Sequence, residues 1–539
     1  MSKLARSRKF WNCLSKEFKL FIIIILLVSI FFRFVNINKK YYWIDETVTS
    51  LRISGYLKEE VNRQVFTGSQ ISVRELARYQ TINSEKNIFD TVKGLAKEEA
   101  QLPPLYFILV RLWTQLFGNS IAVTRSLSAF ISLLAFPCVY WLCLELFNSP
   151  LIGVVAVMLV AVSPFQVLYA QEARMYSLWS VQILLTSAVF LRAIRLNTKF
   201  SWFFYSLSIV LGLYTHLLSI LVAIAQGIYL VIIEKFRVSK KIVSYLISCF
   251  TAILLFSPWI FTILNHSSGA KAALAWLDKT AKLQENLISF VNNIFNAIID
   301  FWFVYNYFPN LNFPNLRFGI YIKPLLLILM VYSFYFIYRK TSIKIWLFIL
   351  TLTFVPPLLI VIRDINANSG SLSQARYLIP CYLGISIAIA YLFATQIKNK
   401  FRNLWQKKFW YLSTILLISF GILSCAISSQ AETWSNKYGM NYYPVVRAIN
   451  QCERPLLMSD RNLVLILSLS HYLDPKVKLQ LLPASKISVE LIDQLSRFSD
   501  IFLFQPSDNF QQTFKTQLNY KIISLKEIRE LLKIEKSND

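Results

Sequence analysis

Four short stretches of this 539-residue chain set ionisable side chains beside long apolar runs, where a charge is costly and tends to mark function. The first, Tyr42-Trp43-Ile44-Asp45-Glu46, holds two adjacent carboxylates. A carboxylate at an apolar boundary can take a proton as a general base. The same pair also reads as a helix start, with Asp45 as cap and Glu46 in the first turn. The second, Gln171-Glu172-Ala173-Arg174-Met175-Tyr176, puts Glu172 and Tyr176 on one face of a helix beginning there, or else pairs Glu172 with Arg174 to steady a turn. The third, Tyr214-Thr215-His216, offers one imidazole, either a ligand or a satisfied interface residue. In the fourth, Gln374-Ala375-Arg376-Tyr377, the guanidinium can clamp a phosphate or snorkel to headgroups. Arg125 and Arg111 pose the same choice. Together these groups could hold an anionic lipid head and deprotonate an acceptor.

The elements that must position them are membrane helices. The chain is 55% hydrophobic and 16% charged with a mean hydropathy of +0.49, far from the roughly 25% charge of soluble proteins. Eleven apolar runs, at about 20–35, 121–147, 149–167, 175–195, 201–215, 217–233, 242–264, 318–338, 345–362, 377–396 and 409–428, approach the roughly 20 residues a spanning helix needs. The first follows a basic start and no small-residue cleavage site, which predicts an uncleaved signal anchor. A twelfth stretch, from Pro103 to Phe117, is read as a re-entrant or interfacial helix. With it so placed, the segments 1–17, 192–200, 234–241, 339–344 and 396–408 carry 20 Lys/Arg on one side, against three in the short opposite loops. The positive-inside rule then makes the N-terminus cytoplasmic and the C-terminus extracytoplasmic. The outer face receives the long loop 36–120, expected to form amphipathic helices on the membrane surface, the loop 265–317, and a polar tail from about 429.

The expected architecture is thus an α-helical polytopic membrane domain, 1–428, followed by a small extracytoplasmic α/β domain, 429–539. Strands are expected at 455–459, 477–481 and 500–504. The excess of 56 Lys+Arg over 29 Asp+Glu reads as topology signal, so no nucleic-acid partner is expected. With 13 Gly and no Gly-rich phosphate loop, a nucleotide-binding fold is not expected. The seven cysteines contain no CxxC pair and support neither a disulfide framework nor a zinc cluster.

The ordered set Trp43-Ile44-Asp45-Glu46, Pro103-Pro104-Leu105-Tyr106-Phe107, Arg125, Ser163-Pro164-Phe165, Tyr169 to Tyr176, Tyr214-Thr215-His216 and Ala375 to Pro380 resembles glycosyltransferase family 39-like proteins. These are GT-C enzymes related to protein O-mannosyltransferases and lipid A aminoarabinose transferases. The resemblance covers roughly 18–430. It implies transfer of a sugar from a polyprenyl-phosphate donor to a lipid, glycan or protein acceptor at the outer face of a plasma (inner) membrane. Asp45, with Glu46 beside it, matches the family's catalytic base, and Glu172 its second acidic position. The family's polar or basic residue before Pro-Pro is replaced by Leu102, which shifts donor-phosphate binding onto Arg125, Arg174, Tyr176, His216, Arg376 and Tyr377. The resemblance specifies no cofactor, and a divalent metal on Asp45, Glu172 and His216 stays open. The competing readings are a polyprenyl-linked glycan flippase, which would tolerate loss of Asp45, and an inactive scaffold.

Overall fold

The computed structural model describes residues 3–267, 269, 277, 282–300, 318–399, 403–435, 437, 442–487, 495–525 and 528–536. Most of the expected outer loop 265–317 lies outside them. The chain is mostly helical and divides into two compact units. One comprises 1–39, 99–106 and 125–431; the other comprises 40–98, 107–124 and 432–539.

In the first unit, every one of the eleven apolar runs is helical. Among the described residues seven helices are long and apolar enough to cross a membrane: Ile121–Phe147, Tyr176–Leu196, Lys240–Asn265, Ile322–Lys340, Ile343–Ala367, Ala375–Lys398 and Leu404–Gln430. An eighth span is broken: Pro150–Ala161 and Pro164–Ala170 meet at 61°. Ser163 caps the second half by accepting from Gln166 N–H, and Pro164 occupies its first turn. Proline disfavours helix at the residue before it, which accounts for the bend. The remaining three runs are shorter or more charged than these. Lys16–Phe34 carries Lys16, Glu17, Lys19 and Arg33, while Lys199–Thr215 and Ser219–Ile233 have 17 and 15 residues.

Helix Tyr176–Leu196 packs along Lys199–Thr215 and Ala135–Phe147, and Pro150–Ala161 packs on Ile379–Lys398. The first helix is tied in by Arg33, fully buried, which donates to the Ala161 carbonyl at 2.9 Å and to Ser132 Oγ at 3.0 Å. The Ala161 carbonyl sits at the break, where the helical ladder no longer supplies a donor.

The second unit centres on a six-stranded mixed sheet of order β1-β3-β2-β4-β6-β5. β1 is Gln70–Ser72, β2 Pro455–Ser459, β3 Lys478–Leu481, β4 Asp500–Phe504, β5 Tyr520–Leu525 and β6 Ile528–Lys536. β3, β2 and β4 run parallel, and β1, β6 and β5 add antiparallel edges. The three expected strands are present, and Leu456, Met458, Leu503, Phe510 and Phe514 form the core on one face. β1 comes from the first long loop, whose segments 40–98 and 107–120 belong to the same unit as the tail. Its helices Ile44–Ser54, Lys58–Val65, Val73–Ala77 and Ile88–Glu98 lie within this unit.

Candidate active site

In the first unit the strings around 172, 216 and 376 converge. Tyr176 opens helix Tyr176–Leu196, His216 caps the end of Lys199–Thr215, and Arg376 and Tyr377 lie in a short 3-10 turn just before Ile379–Lys398. The Tyr169 ring packs on Tyr176 at 5.1 Å, Tyr176 on His216 at 5.9 Å, and His216 on Tyr377 at 6.1 Å. Trp179, one turn below Tyr176, stacks face to face on His216 at 4.4 Å. The Arg376 guanidinium lies 5.8 Å from the Tyr176 ring and 5.6 Å from the Tyr377 ring. Glu172, Tyr176, Arg376 and Tyr382 are all within electrostatic reach of the Tyr169 phenol. Glu172, with 0% exposure, and Arg376, with 8%, are both buried.

The group is braced from outside. Gln171 donates to the Phe32 and Val35 carbonyls at 2.9 and 2.8 Å, closing the end of the first helix. Ser128 Oγ donates to the Arg174 carbonyl at 3.3 Å. Since that uses the one Ser128 proton, Tyr106 of the Pro-Pro-Leu-Tyr string is the donor in its 2.7 Å bond to Ser128. Arg125, one turn before Ser128 and fully buried, donates to the Ile37 carbonyl at 2.8 Å. Gln171 and Tyr106 stand in the motifs and Ser128 does not, and the bracing roles needed partners up to 139 residues away.

The imidazole is locked in one form. The Leu218 N–H donates to His216 Nδ1 at 3.2 Å, so a neutral ring carries its proton on Nε2. Burial, then the charges of Arg174 and Arg376, push His216 down to about 3. It is therefore a neutral donor at physiological pH. Among the described residues, no three His, Cys, Asp or Glu side chains gather as a ligand set.

Asp45 and Glu46 belong to the second unit. The cap of helix Ile44–Ser54 is Trp43, with no side-chain capping bond, so Asp45 lies in the first turn and does not serve as the cap. Glu46 is fully buried and Asp45 half-buried. The approach to this turn is stitched to the tail. Tyr41 N–H donates to the Glu432 carbonyl and Trp434 Nε1 to the Tyr41 carbonyl, each at 2.8 Å; Tyr42 N–H donates to the Tyr472 hydroxyl at 2.8 Å. Arg111 is a clamp within the same unit, donating to the Ile53 and Lys86 carbonyls and to Thr91 Oγ1.

Residues 101–261, which include Arg125, Glu172, Arg174 and His216, match the family described as dolichyl-phosphate-mannose-protein mannosyltransferase. That segment, less than half of the chain, is similar to this glycosyltransferase family. The chain is a multi-pass membrane glycosyltransferase of the class that draws sugars from lipid-phosphate donors. The transferase fold is similar to that of ArnT from Cupriavidus metallidurans bound to undecaprenyl phosphate, with a TM-score of 0.52 and 10% identity over 97% of this chain and 99% of that one. The same protein in the apo state gives 0.52 and 10% over 96% and 98%. The Archaeoglobus fulgidus oligosaccharyltransferase in complex with Zn and sulfate gives 0.49 and 12% over 93% and 72%. No curated protein matches the sequence.

Proposed function

We propose that this transferase moves a sugar from a polyprenyl-phosphate donor to a lipid, glycan or protein acceptor on the extracytoplasmic side of a plasma membrane, with inversion at the anomeric carbon. Asp45 takes the proton of the acceptor hydroxyl as its oxygen attacks that carbon. The bond from the carbon to the donor phosphate oxygen breaks, and its electron pair leaves with the lipid phosphate. Arg174 and Arg376 stabilise the charge that develops there, and His216 Nε2–H adds a neutral donor. Glu46 supports Asp45, and Glu172 accepts hydrogen bonds from sugar hydroxyls. Tyr176 and Tyr377 hold the Arg376 fork between their rings. Arg125 fixes the helix that braces Arg174.

The observation that carries this reading is the buried group of Glu172, two guanidiniums, a neutral imidazole and a wall of aromatic rings at one end of the helices. Such a group suits a phosphorylated sugar better than a simple anion. The orientation rests on the distribution of Lys and Arg across the loops.

The test is transfer of radiolabelled sugar from polyprenyl-phosphate donors to a membrane acceptor pool, comparing wild type, Asp45→Asn and Glu172→Gln at equal folded fraction. Transfer by the wild type that collapses in Asp45→Asn supports the base. Equal rates in both remove Asp45 from the mechanism. No transfer by the wild type, with lipid translocation in vesicles, replaces the transferase by a flippase.

A further inference from the structure

Helix Tyr176–Leu196 carries Tyr176 and Trp179 of the candidate active site at its start. Arg192 lies sixteen residues further on, about 24 Å along the axis. At that far end, between this helix and Lys199–Thr215, lies a cavity of about 400 Å³. Its walls are apolar, formed by Trp141, Leu185, Val189, Phe204 and Leu207, and its rim is polar, with Arg192. The two nearby arginines are in different circumstances. Arg195 is engaged in a two-pronged ion pair with Glu145, at 3.0 and 3.1 Å. Arg192 is exposed and lies 5.9 Å from the Trp141 ring, and no carboxylate among the described residues pairs with it. Lys199, also exposed, opens the next helix beside it.

We propose that this cavity is a binding site for an anionic diacyl phospholipid of the phosphatidylglycerol type, separate from the sugar-transfer chemistry. Its acyl chain lies in the groove against Val189, Phe204 and Leu207, and its phosphate meets the Arg192 guanidinium. Three features select this occupant. The groove opens on a lipid-facing surface where Phe200, Phe203 and Phe204 are exposed. An apolar floor under a cationic rim has the polarity of a phospholipid and not of a soluble anion. The rim charge is positive, whereas a zwitterionic headgroup would bring its own cation against it. This proposal does not depend on the sugar-transfer reading.

The experiment uses the full chain, purified and delipidated in detergent, with binding of phosphatidylglycerol and phosphatidylcholine followed by native mass spectrometry. The wild type should prefer phosphatidylglycerol about fivefold, the contribution of one basic side chain at an anionic surface. Arg192→Gln should abolish that preference. Arg195→Gln, whose guanidinium is held by Glu145, should retain it. Val189→Trp, filling the groove, should weaken both lipids in a protein that remains monodisperse. Equal binding of the two lipids by the wild type, or a preference that persists in Arg192→Gln, overturns the proposal. So does displacement of phosphatidylglycerol from this site by undecaprenyl phosphate, because the groove would then belong to the donor.

Discussion

Arg376→Gln isolates the proposed leaving-group charge. In the folded protein Arg376 is 8% exposed and lies within 6 Å of two tyrosine rings. Each ring contact contributes about 0.5–2 kcal/mol, present with or without substrate, so its loss reads as stability and not as rate. What bears on rate is the stabilisation of charge formed only as the bond to phosphate breaks. Removing one such donor costs about 3 kcal/mol, or about two orders of magnitude in kcat. Arg376→Lys keeps the charge but loses the planar fork, and should fall about tenfold. The assay is single-turnover transfer in vesicles at saturating labelled donor, normalised to folded protein. A Gln variant within threefold of wild type would refute the reasoning, as would a loss that disappears on raising donor concentration, since that marks uniform binding. The same variant removes one of the two cations acting on His216, so its imidazole should titrate above about 3.

Three further outcomes are expected. His216 has a folded value of about 3, below the ordinary 6.5. The stability from keeping it neutral is therefore complete above about pH 6.5 and is lost as pH falls toward 3; His216→Gln should leave the shape of the pH–rate profile between 5 and 8 unchanged while lowering the rate about tenfold, one lost hydrogen bond. Trp434→Ala deletes a side chain with 1% exposure and the bond that holds Tyr41; a loss of about 3–5 kcal/mol should appear as faster proteolysis of residues 40–98, together with lost transfer. Gly384→Ala drives a methyl into Thr353 Oγ1 where two membrane helices touch; overpacking of about 1–3 kcal/mol should lower the Tm without changing the residual specific activity.

The membrane helices were legible because a run of apolar residues carries its own signal, and the three parallel strands because each is a short apolar run in a polar tail. The break at Ser163-Pro164 leaves no mark in the hydropathy of its run, although its local chemistry is on view: a capping serine followed by the residue that suits a first helical turn. β1 and β6 had no comparable signal. Ile528–Lys536 is rich in the helix formers Leu, Glu and Lys, and its buried Leu531 and Ile534 are spaced as on a helix, yet pairing with β4 and β5 makes it a strand. Gln70–Ser72 is three residues long, and only β3 gives it a partner. In the candidate site, the motif residues were visible in the sequence. The stacking of Trp179 on His216 and the Leu218 bond that fixes the imidazole were not, because both depend on how helices meet.

The pairing of β1 with β3 has a bearing on how the chain is made. Gly68 N–H donates to the Leu481 carbonyl at 3.0 Å, and Gln480 donates back to the Gly68 carbonyl across 412 residues. During synthesis the first loop emerges early and then waits, without the strand that pairs with β1, while the later membrane helices are made. Loops that close over such spans form late, and an exposed strand edge invites pairing with other chains. A chain ended between residues 430 and 478 would therefore carry its membrane helices but lack the strand that pairs with β1. Synthesis of β3 is thus the step that lets the first loop enter its sheet.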